Sequence, residues 1–175
     1  GVRTSEEYLD WEKAQPENGF RTVGRKALIP YGLYVGKGFI SAFLADDTGF
    51  GDDDLSILWE ALLAMYEHDH SASRGIMAVR EPVFIFKHVG TDSDATQRAQ
   101  QARLGCAAAH RLFDLVSVGK RDGVSVARSF EDYEVSFAAS AVPSGVQPGF
   151  GGMVEGRPVI AWNEPGERWP LLRMR

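Results

Sequence analysis

Basic and aromatic side chains are interleaved along one stretch of the chain, from Phe20 to Leu44. Between Glu17 and Asp46 there is no acidic residue, although acidic residues outnumber basic ones by 24 to 19 in the whole chain. Cations neutralise phosphates and aromatic faces stack on bases, which is what binding of single-stranded nucleic acid needs. A basic loop leading into core strands is the competing interpretation. The side chains concerned are Arg21, Arg25, Lys26 and Lys37, with Phe20, Tyr31, Tyr34 and Phe39.

A second run of reactive residues, at positions 67–75, reads E-H-D-H-S-A-S-R-G. His68, Asp69 and His70 could ligate a divalent ion that activates water against a phosphodiester, so a metal-dependent nuclease is the alternative function. Successive residues at a helix end point in different directions, however, and such a site would need further ligands from elsewhere. The run also suits a polar helix terminus, in which a histidine caps carbonyl groups and Arg74 contacts a carboxylate or a phosphate.

The composition narrows the class of protein. A chain of 175 residues with a formal charge of -5 can form one domain with a core, but it has no net field that attracts polyanions. The five aspartates between positions 46 and 54 predict a second surface that repels phosphate or meets a basic neighbour. The lone cysteine, Cys106, excludes an intrachain disulfide and suits a reducing cytoplasm. Its small apolar neighbours indicate a buried packing residue.

The sequence lacks the patterns that are typical of several other classes of protein. No apolar run approaches the length that crosses a bilayer, so we expect no membrane partner. The glycine-rich patterns that bind nucleotide cofactors and the G-x-S-x-G pattern of serine hydrolases are absent. We therefore expect no cofactor, no structural metal and no catalytic residue.

The first half of the chain predicts two helices around an extended region. A short helix over Thr4 to Lys13 would be capped by Ser5. An extended entry and a glycine-rich bend would lead into a strand at Phe39 to Leu44. The clearest helix has Gly51 as its N-cap, three aspartates in its first turn and one apolar face, which would pack on a sheet.

The next predicted element is a strand over Val79 to Val89, with Pro82 near its entry. A strand, a helix and a strand in that order make the second half of a split β-α-β unit, as in ferredoxin-like and RNA-recognition folds. The sequence thus predicts an α+β fold.

The second half of the chain is less regular. Residues 91–104 suit a mobile loop or a poorly amphipathic helix, and residues 107–115 suit a helix. The D-G turn at 122–123 predicts a hairpin between strands at 116–118 and 124–127. Alternating apolar residues predict a further strand over 130–137. A second basic region without aromatic interleaving suits solvent as well as a ligand; it contains Arg98, Arg103, Arg111, Lys120 and Arg121.

From Ser140 onward, prolines and glycines recur so often that we expect no regular element. Trp162 and Trp169 would pin this tail onto the body, since disordered tails seldom contain two tryptophans. The predicted organisation is a domain over residues 1–139 and a packed Pro/Gly-rich tail over residues 140–175.

The sequence resembles the backbone subunit of the type I-C CRISPR Cascade complex, a family of the RAMP superfamily. The resemblance is ordered, extends from Glu6 to about Val135, and is most specific at P-Y-G-L-Y and at E-H-D-H-S-A-S-R-G. Further blocks that carry it are R-T-V-G-R-K-A-L-I, T-G-F-G-D-D-D-L-S-I-L-W-E-A-L, A-H-R-L-F-D-L-V and F-E-D-Y-E-V.

This resemblance implies a modified RNA-recognition core with insertions. In such a family, several copies line up on one CRISPR RNA and hold its sugar-phosphate backbone without reading its sequence, so that the bases can pair with target DNA. Members bind and do not cut, and they assemble with a 5′-cap subunit and with large and small subunits. The family usually begins upstream of the present first residue, so the chain resembles the C-terminal portion of such a subunit.

Combined with the basic stretch, the resemblance assigns an RNA-binding role to seven residues. Phosphate contacts are expected from the basic residues, and base stacking from the tyrosines. Val35 and His70 stand where the family commonly has basic residues. The seven predicted RNA-binding residues are Arg21, Arg25, Lys26, Tyr31, Tyr34, Lys37 and Arg74.

Overall fold

A computed structural model describes residues 4–14, 29–67, 69 and 75–163 of the chain. The chain divides into two compact units, residues 1–32 and residues 33–175. Among the described residues, no helix is both long and apolar enough to span a bilayer.

The described part of the first unit contains helix α1, Ser5–Lys13, as the sequence predicts. Its N-terminus is closed by reciprocal hydrogen bonds: the Thr4 backbone N–H donates to Glu7 Oε2 (2.8 Å) and the Glu7 N–H donates to Thr4 Oγ1 (3.3 Å). This is a capping box, which satisfies two backbone donors at once. The prediction that Ser5 caps the helix is wrong, because Ser5 is already its first residue.

In the second unit, the predicted strand at Phe39 to Leu44 is wrong. Residues 33–41 have no regular structure, and helix α2 follows over Ala42–Thr48. Ser41 caps this helix by accepting a hydrogen bond from the Leu44 N–H, and Gly49 ends it in the left-handed conformation at φ 72°. Alanine and leucine favour a helix once both ends are satisfied. The local caps therefore outweigh the apolar pattern that suggested a strand.

Helix α3, Asp52–Ala64, begins as predicted, with Gly51 as its N-cap. The Asp54 carboxylate accepts the Gly51 N–H at 2.9 Å, and the three aspartates of the first turn favour the positive end of the helix dipole. The helix contacts two strands of a sheet, as expected. Its Leu63 is buried, whereas Ile57 is 64 % exposed. The apolar face is thus only partly covered by the chain's own sheet.

Three antiparallel strands make the larger sheet: β1, Val83–His88, then β4, Val146–Val154, then β5, Arg157–Trp162. β4 is the central strand, so the prediction of an irregular tail after Ser140 is wrong for the described residues. The glycines of β4 make room for neighbouring side chains. A Cβ at Gly149, for instance, would lie 2.6 Å from the Trp162 ring.

The smaller sheet pairs β2, Val116–Lys120, with β3, Tyr133–Phe137, in an antiparallel ladder. The alternating burial predicted for β3 is confirmed. The predicted hairpin with residues 124–127 is wrong, although the turn itself forms, with Gly123 at φ 82°. Residues beyond that turn are held in a loop instead, where Asp132 Oδ2 accepts the backbone N–H groups of Arg128 and Ser129.

Two helices connect the sheets: α4, Ala95–Leu104, and α5, Ala109–Phe113. Of the two structures considered for residues 91–104, the helix is the one that forms. The core contains the Phe150 ring, 1 % exposed, with the rings of Phe84 in β1 and Phe137 in β3 beside it. Cys106 packs against the adjoining cluster of Leu112, Leu115 and Val146, as predicted, but it is only partly buried.

Helices and antiparallel sheets together confirm the α+β class, and they are consistent with a fold like that of RNA-recognition domains. The expected strand before α3 is not present among the described residues, where α2 takes its place. The division into a domain over 1–139 and a tail over 140–175 stays a prediction.

Candidate nucleic-acid interface

The segment 33–41, between the start of the second unit and helix α2, is the most open described part of the basic stretch. It forms neither helix nor strand, and all of its residues from 34 to 40 are exposed. Tyr34 is 79 % exposed and Phe39 is 81 % exposed. The segment therefore offers two unstacked rings to a base.

Packing against the described atoms does not require the glycines of this segment. A Cβ at Gly36 or at Gly38 would meet no atom within 4 Å, and neither residue has the positive φ that favours glycine. Glycine also occurs where a ligand must approach the main chain closely. Of the two explanations for the glycine pair, a turn imposed by the fold and a ligand's approach, the first lacks support among the described atoms.

Lys37 lies between the two exposed rings in sequence and is anchored to the body. Its ammonium is 5.5 Å from the centroid of the Phe113 ring at the end of α5. Such a contact contributes about 0.5–1 kcal/mol at an exposed site. The contact fixes the position of the charge without burying it, since Lys37 remains exposed. A phosphate could therefore reach the ammonium.

Three of the seven predicted RNA-binding residues are described, and they lie in two different units. Tyr31 is half-buried and belongs to the first unit, whereas Tyr34 and Lys37 belong to the second. The structure thus brings Tyr34 and Lys37 into one segment. Four predicted contacts lie outside the described residues, namely Arg21, Arg25, Lys26 and Arg74.

The candidate metal site is mostly outside the described residues as well. His68 and His70 are not described, and Asp69 is exposed. Within the part of the chain that the structure describes, no three His, Cys, Asp or Glu side chains are grouped so that they could hold a metal ion. No specific observation favours the nuclease hypothesis.

The second basic region makes contacts within the protein. The Arg103 guanidinium forms an ion pair with Asp46 of α2, and its Cζ lies 4.7 Å from the centroid of the Phe43 ring. Lys120 Nζ donates to the Ser125 carbonyl oxygen at 2.8 Å, and Arg121 Nε donates to the Glu131 carbonyl oxygen at 2.8 Å. These cations fix α4 to α2 and close the loop after β2, so they have a structural role.

His88 is a partly buried hydrogen-bond acceptor, not a charged contact. Its Nδ1 accepts the Cys106 backbone N–H at 3.0 Å, which requires the neutral form of that nitrogen. Burial lowers the pKa of His88 below its ordinary value. This hydrogen bond connects the end of β1 to the connection between α4 and α5.

Sequence reasoning also missed an exposed cation and aromatic ring that lie together on the larger sheet. Lys87 Nζ lies 5.7 Å from the centroid of the Trp162 ring, across the larger sheet. No local signal could identify this pair, because β4, the strand between them, was expected to be irregular. Pairing of β4 with both β1 and β5 brings the two side chains together.

The α+β fold with antiparallel sheets is consistent with the class of proteins that have an RNA-recognition-like domain. The family model of the CRISPR-associated protein Cas7 matches residues 2–138. This range covers more than half of the chain, and the chain belongs to that family. Membership implies a CRISPR-associated, RNA-binding backbone subunit. No curated protein matches the sequence.

Proposed function

We propose that this chain is the backbone subunit of a type I-C Cascade complex in the cytoplasm. Several copies line up on one CRISPR RNA, hold its sugar-phosphate backbone without reading sequence, and leave its bases free for target DNA. The other partners are the 5′-cap, large and small subunits. The chain has no catalytic role in this proposal. Its likeness to the type I-C family at P-Y-G-L-Y supports the subtype.

The observation that carries this proposal is the exposure of Tyr34 and Phe39 around Lys37, in a segment that forms neither helix nor strand. Stacking on a ring is tolerant of sequence because every base has a π-face, and an ammonium contacts phosphate whatever the base. The residues 33–40, L-Y-V-G-K-G-F-I, include no amide, carboxylate or guanidinium side chain that reads base edges. Their chemistry therefore suits binding without sequence readout.

Apolar side chains exposed on α2 and α3 support the assembly of several subunits. Leu44 and Ile57 are each 64 % exposed, and Phe43 is 48 % exposed. Such exposed apolar side chains are available for contact with another protein. Copies of this chain lined up on one RNA would cover such a surface.

The phosphate contacts predict a dependence on salt. Changing Arg21, Arg25 and Lys26 together to Ala should weaken the affinity of the assembled complex for CRISPR RNA. The plot of log binding constant against log salt should become shallower by about 2, since each phosphate contact on a single strand contributes about 0.7. Filter binding over a range of salt concentrations measures both quantities.

The matched control is a variant with the same change of charge elsewhere, in which Arg98, Arg111 and Arg157 are changed to Ala. Its affinity and its salt dependence should match those of the wild type. Equal losses in the two triple variants would mean that net charge, and not the basic stretch, governs binding. An unchanged affinity of the first variant at moderate salt would remove its three residues from the interface.

A further inference from the structure

One end of the larger sheet carries an exposed indole and an exposed ammonium on the same face. Trp162, in β5, is 39 % exposed, and Lys87, in β1, is exposed. The register pairs Trp162 with Gly149 and Lys87 with Gln147, both in β4. Residues paired directly across antiparallel strands share a face, as do residues two apart in one strand. The four residues therefore form one surface, called here the Trp162 platform.

The indole lies against the main chain because Gly149 has no side chain. A Cβ at Gly149 would approach Trp162 Cε3 to 2.6 Å and Cζ3 to 2.7 Å, which real atoms do not do. The opposite face of the same strands carries Phe86 and Phe150, which contact Phe137 of β3 in the core. The ring thus stands on the side of the sheet away from this aromatic core, in a position fixed by a glycine.

The charges on this face suit an anion. Along the three strands the face carries one cation and no carboxylate. Its residues are Val83, Ile85, Lys87, Gln147, Gly149, Gly151, Met153, Pro158, Ile160 and Trp162. The Glu81 carboxylate meets this sheet at the other end of β4, where it accepts the Met153 N–H at 2.7 Å. Within the three strands, this face thus offers a ring, an amide and an ammonium, which are groups that can hold one nucleotide of a single strand.

We propose that the Trp162 platform binds a nucleotide of single-stranded nucleic acid, with its base stacked on the indole and its phosphate at Lys87. This site is separate from the segment 33–41, and its indole lies beyond the residues that match the Cas7 family. The proposal therefore adds a second contact and does not depend on the first. The shared chemistry fits the CRISPR RNA and a DNA strand alike.

Affinity measurements on the full chain test the platform. The probes are a short fluorescent oligouridylate and the corresponding deoxyoligonucleotide. Trp162→Ala should weaken binding at least about fivefold, and Trp162→Phe should restore part of the loss, because stacking on a ring contributes in this range. Lys87→Gln should make the salt dependence shallower by about 0.7. A preference for the ribose probe would identify the RNA strand as the ligand, and equal affinity would identify a site for either strand.

A pair of glycine variants distinguishes stacking from mere packing. Gly149→Ala keeps the tryptophan but displaces the ring, so it should weaken binding as Trp162→Ala does. Gly151→Ala lies on the same face of β4, where a Cβ would meet Val83 Cβ at an ordinary 3.4 Å. It should bind as the wild type does. Circular dichroism checks that each variant is folded.

Wild-type affinity in both Trp162→Ala and Gly149→Ala would mean that the indole only covers the end of the sheet. If those variants fail to fold, an unchanged salt dependence in Lys87→Gln overturns the proposal instead. If Tyr34→Ala loses binding while the platform variants bind normally, the Trp162 platform alone is overturned. If the platform variants lose binding while Tyr34→Ala binds normally, the role of the segment 33–41 is overturned and the platform stands.

Discussion

Glycines occur both in strand β4 and in the segment 33–41, and the two sets have different surroundings. Gly149 and Gly152 are buried, and a Cβ at either would come within 3 Å of a side chain, Trp162 or Glu81. Gly36 and Gly38 face open space. Packing against described residues explains the first pair and not the second. This difference supports our proposal that the open segment accommodates RNA.

The largest expected effect is on the free energy of unfolding, and it should differ between two phenylalanines. Phe150→Ala should lower the free energy of unfolding by about 3–5 kcal/mol, because it removes a ring that is 1 % exposed and leaves a cavity. Phe39→Ala, in the segment 33–41, should change it by less than about 0.5 kcal/mol. Urea denaturation followed by circular dichroism measures both. A comparable loss in Phe39→Ala would mean that the segment belongs to the core.

A smaller effect contrasts two glycines. Gly145→Ala should destabilise the chain by about 1–3 kcal/mol, because Gly145 has φ 80° and a Cβ there would lie 2.9 Å from Cys106 Sγ. Gly36→Ala should leave stability unchanged or raise it slightly by restricting the unfolded chain. Thermal unfolding of the two variants gives the comparison. Destabilisation by Gly36→Ala would show that the fold does need this glycine.

The smallest expected effect is on the pH dependence of stability, and it comes from His88 in the packed region. Because burial lowers the pKa of folded His88, the unfolded chain binds more protons near and below pH 6.5. The contribution of this residue to stability is therefore fully present at higher pH. It falls as the pH drops through the unfolded value, and it levels off below the folded pKa. His88→Gln should lose less stability than the wild type between pH 8 and pH 5, whereas parallel losses would contradict the neutral acceptor.

The local signals in the sequence were sufficient for helix α3 and strand β3. Helix α3 follows from the aspartates after Gly51, and β3 follows from the alternation of Tyr133, Val135 and Phe137. Ser41 caps α2, but it lies within an apolar run that favours a strand, so this cap was missed. Strand β4 could not be predicted, because its glycines make sense only beside residues of β1 and β5, which are distant in the sequence.

In the candidate site, too, residues that are close in sequence were predictable and contacts made by tertiary packing were not. Tyr34 and Lys37 are neighbours in sequence, so the interleaved pattern found them, and the structure leaves both exposed. The contact between Lys37 and Phe113 depends on tertiary packing and had no signal in the sequence. Lys87 and Trp162 were missed for the same reason, since only the sheet register brings them together.

Photo-crosslinking tests the central proposal, that RNA lies along the segment 33–41. The complex would be assembled on CRISPR RNA containing 4-thiouridine, irradiated, digested and analysed by mass spectrometry. Crosslinks to Tyr34 or Phe39 are the predicted result, and they should disappear in a Tyr34→Ala, Phe39→Ala double variant that still folds. Crosslinks confined to other parts of the chain, with both rings unmodified, would contradict the account.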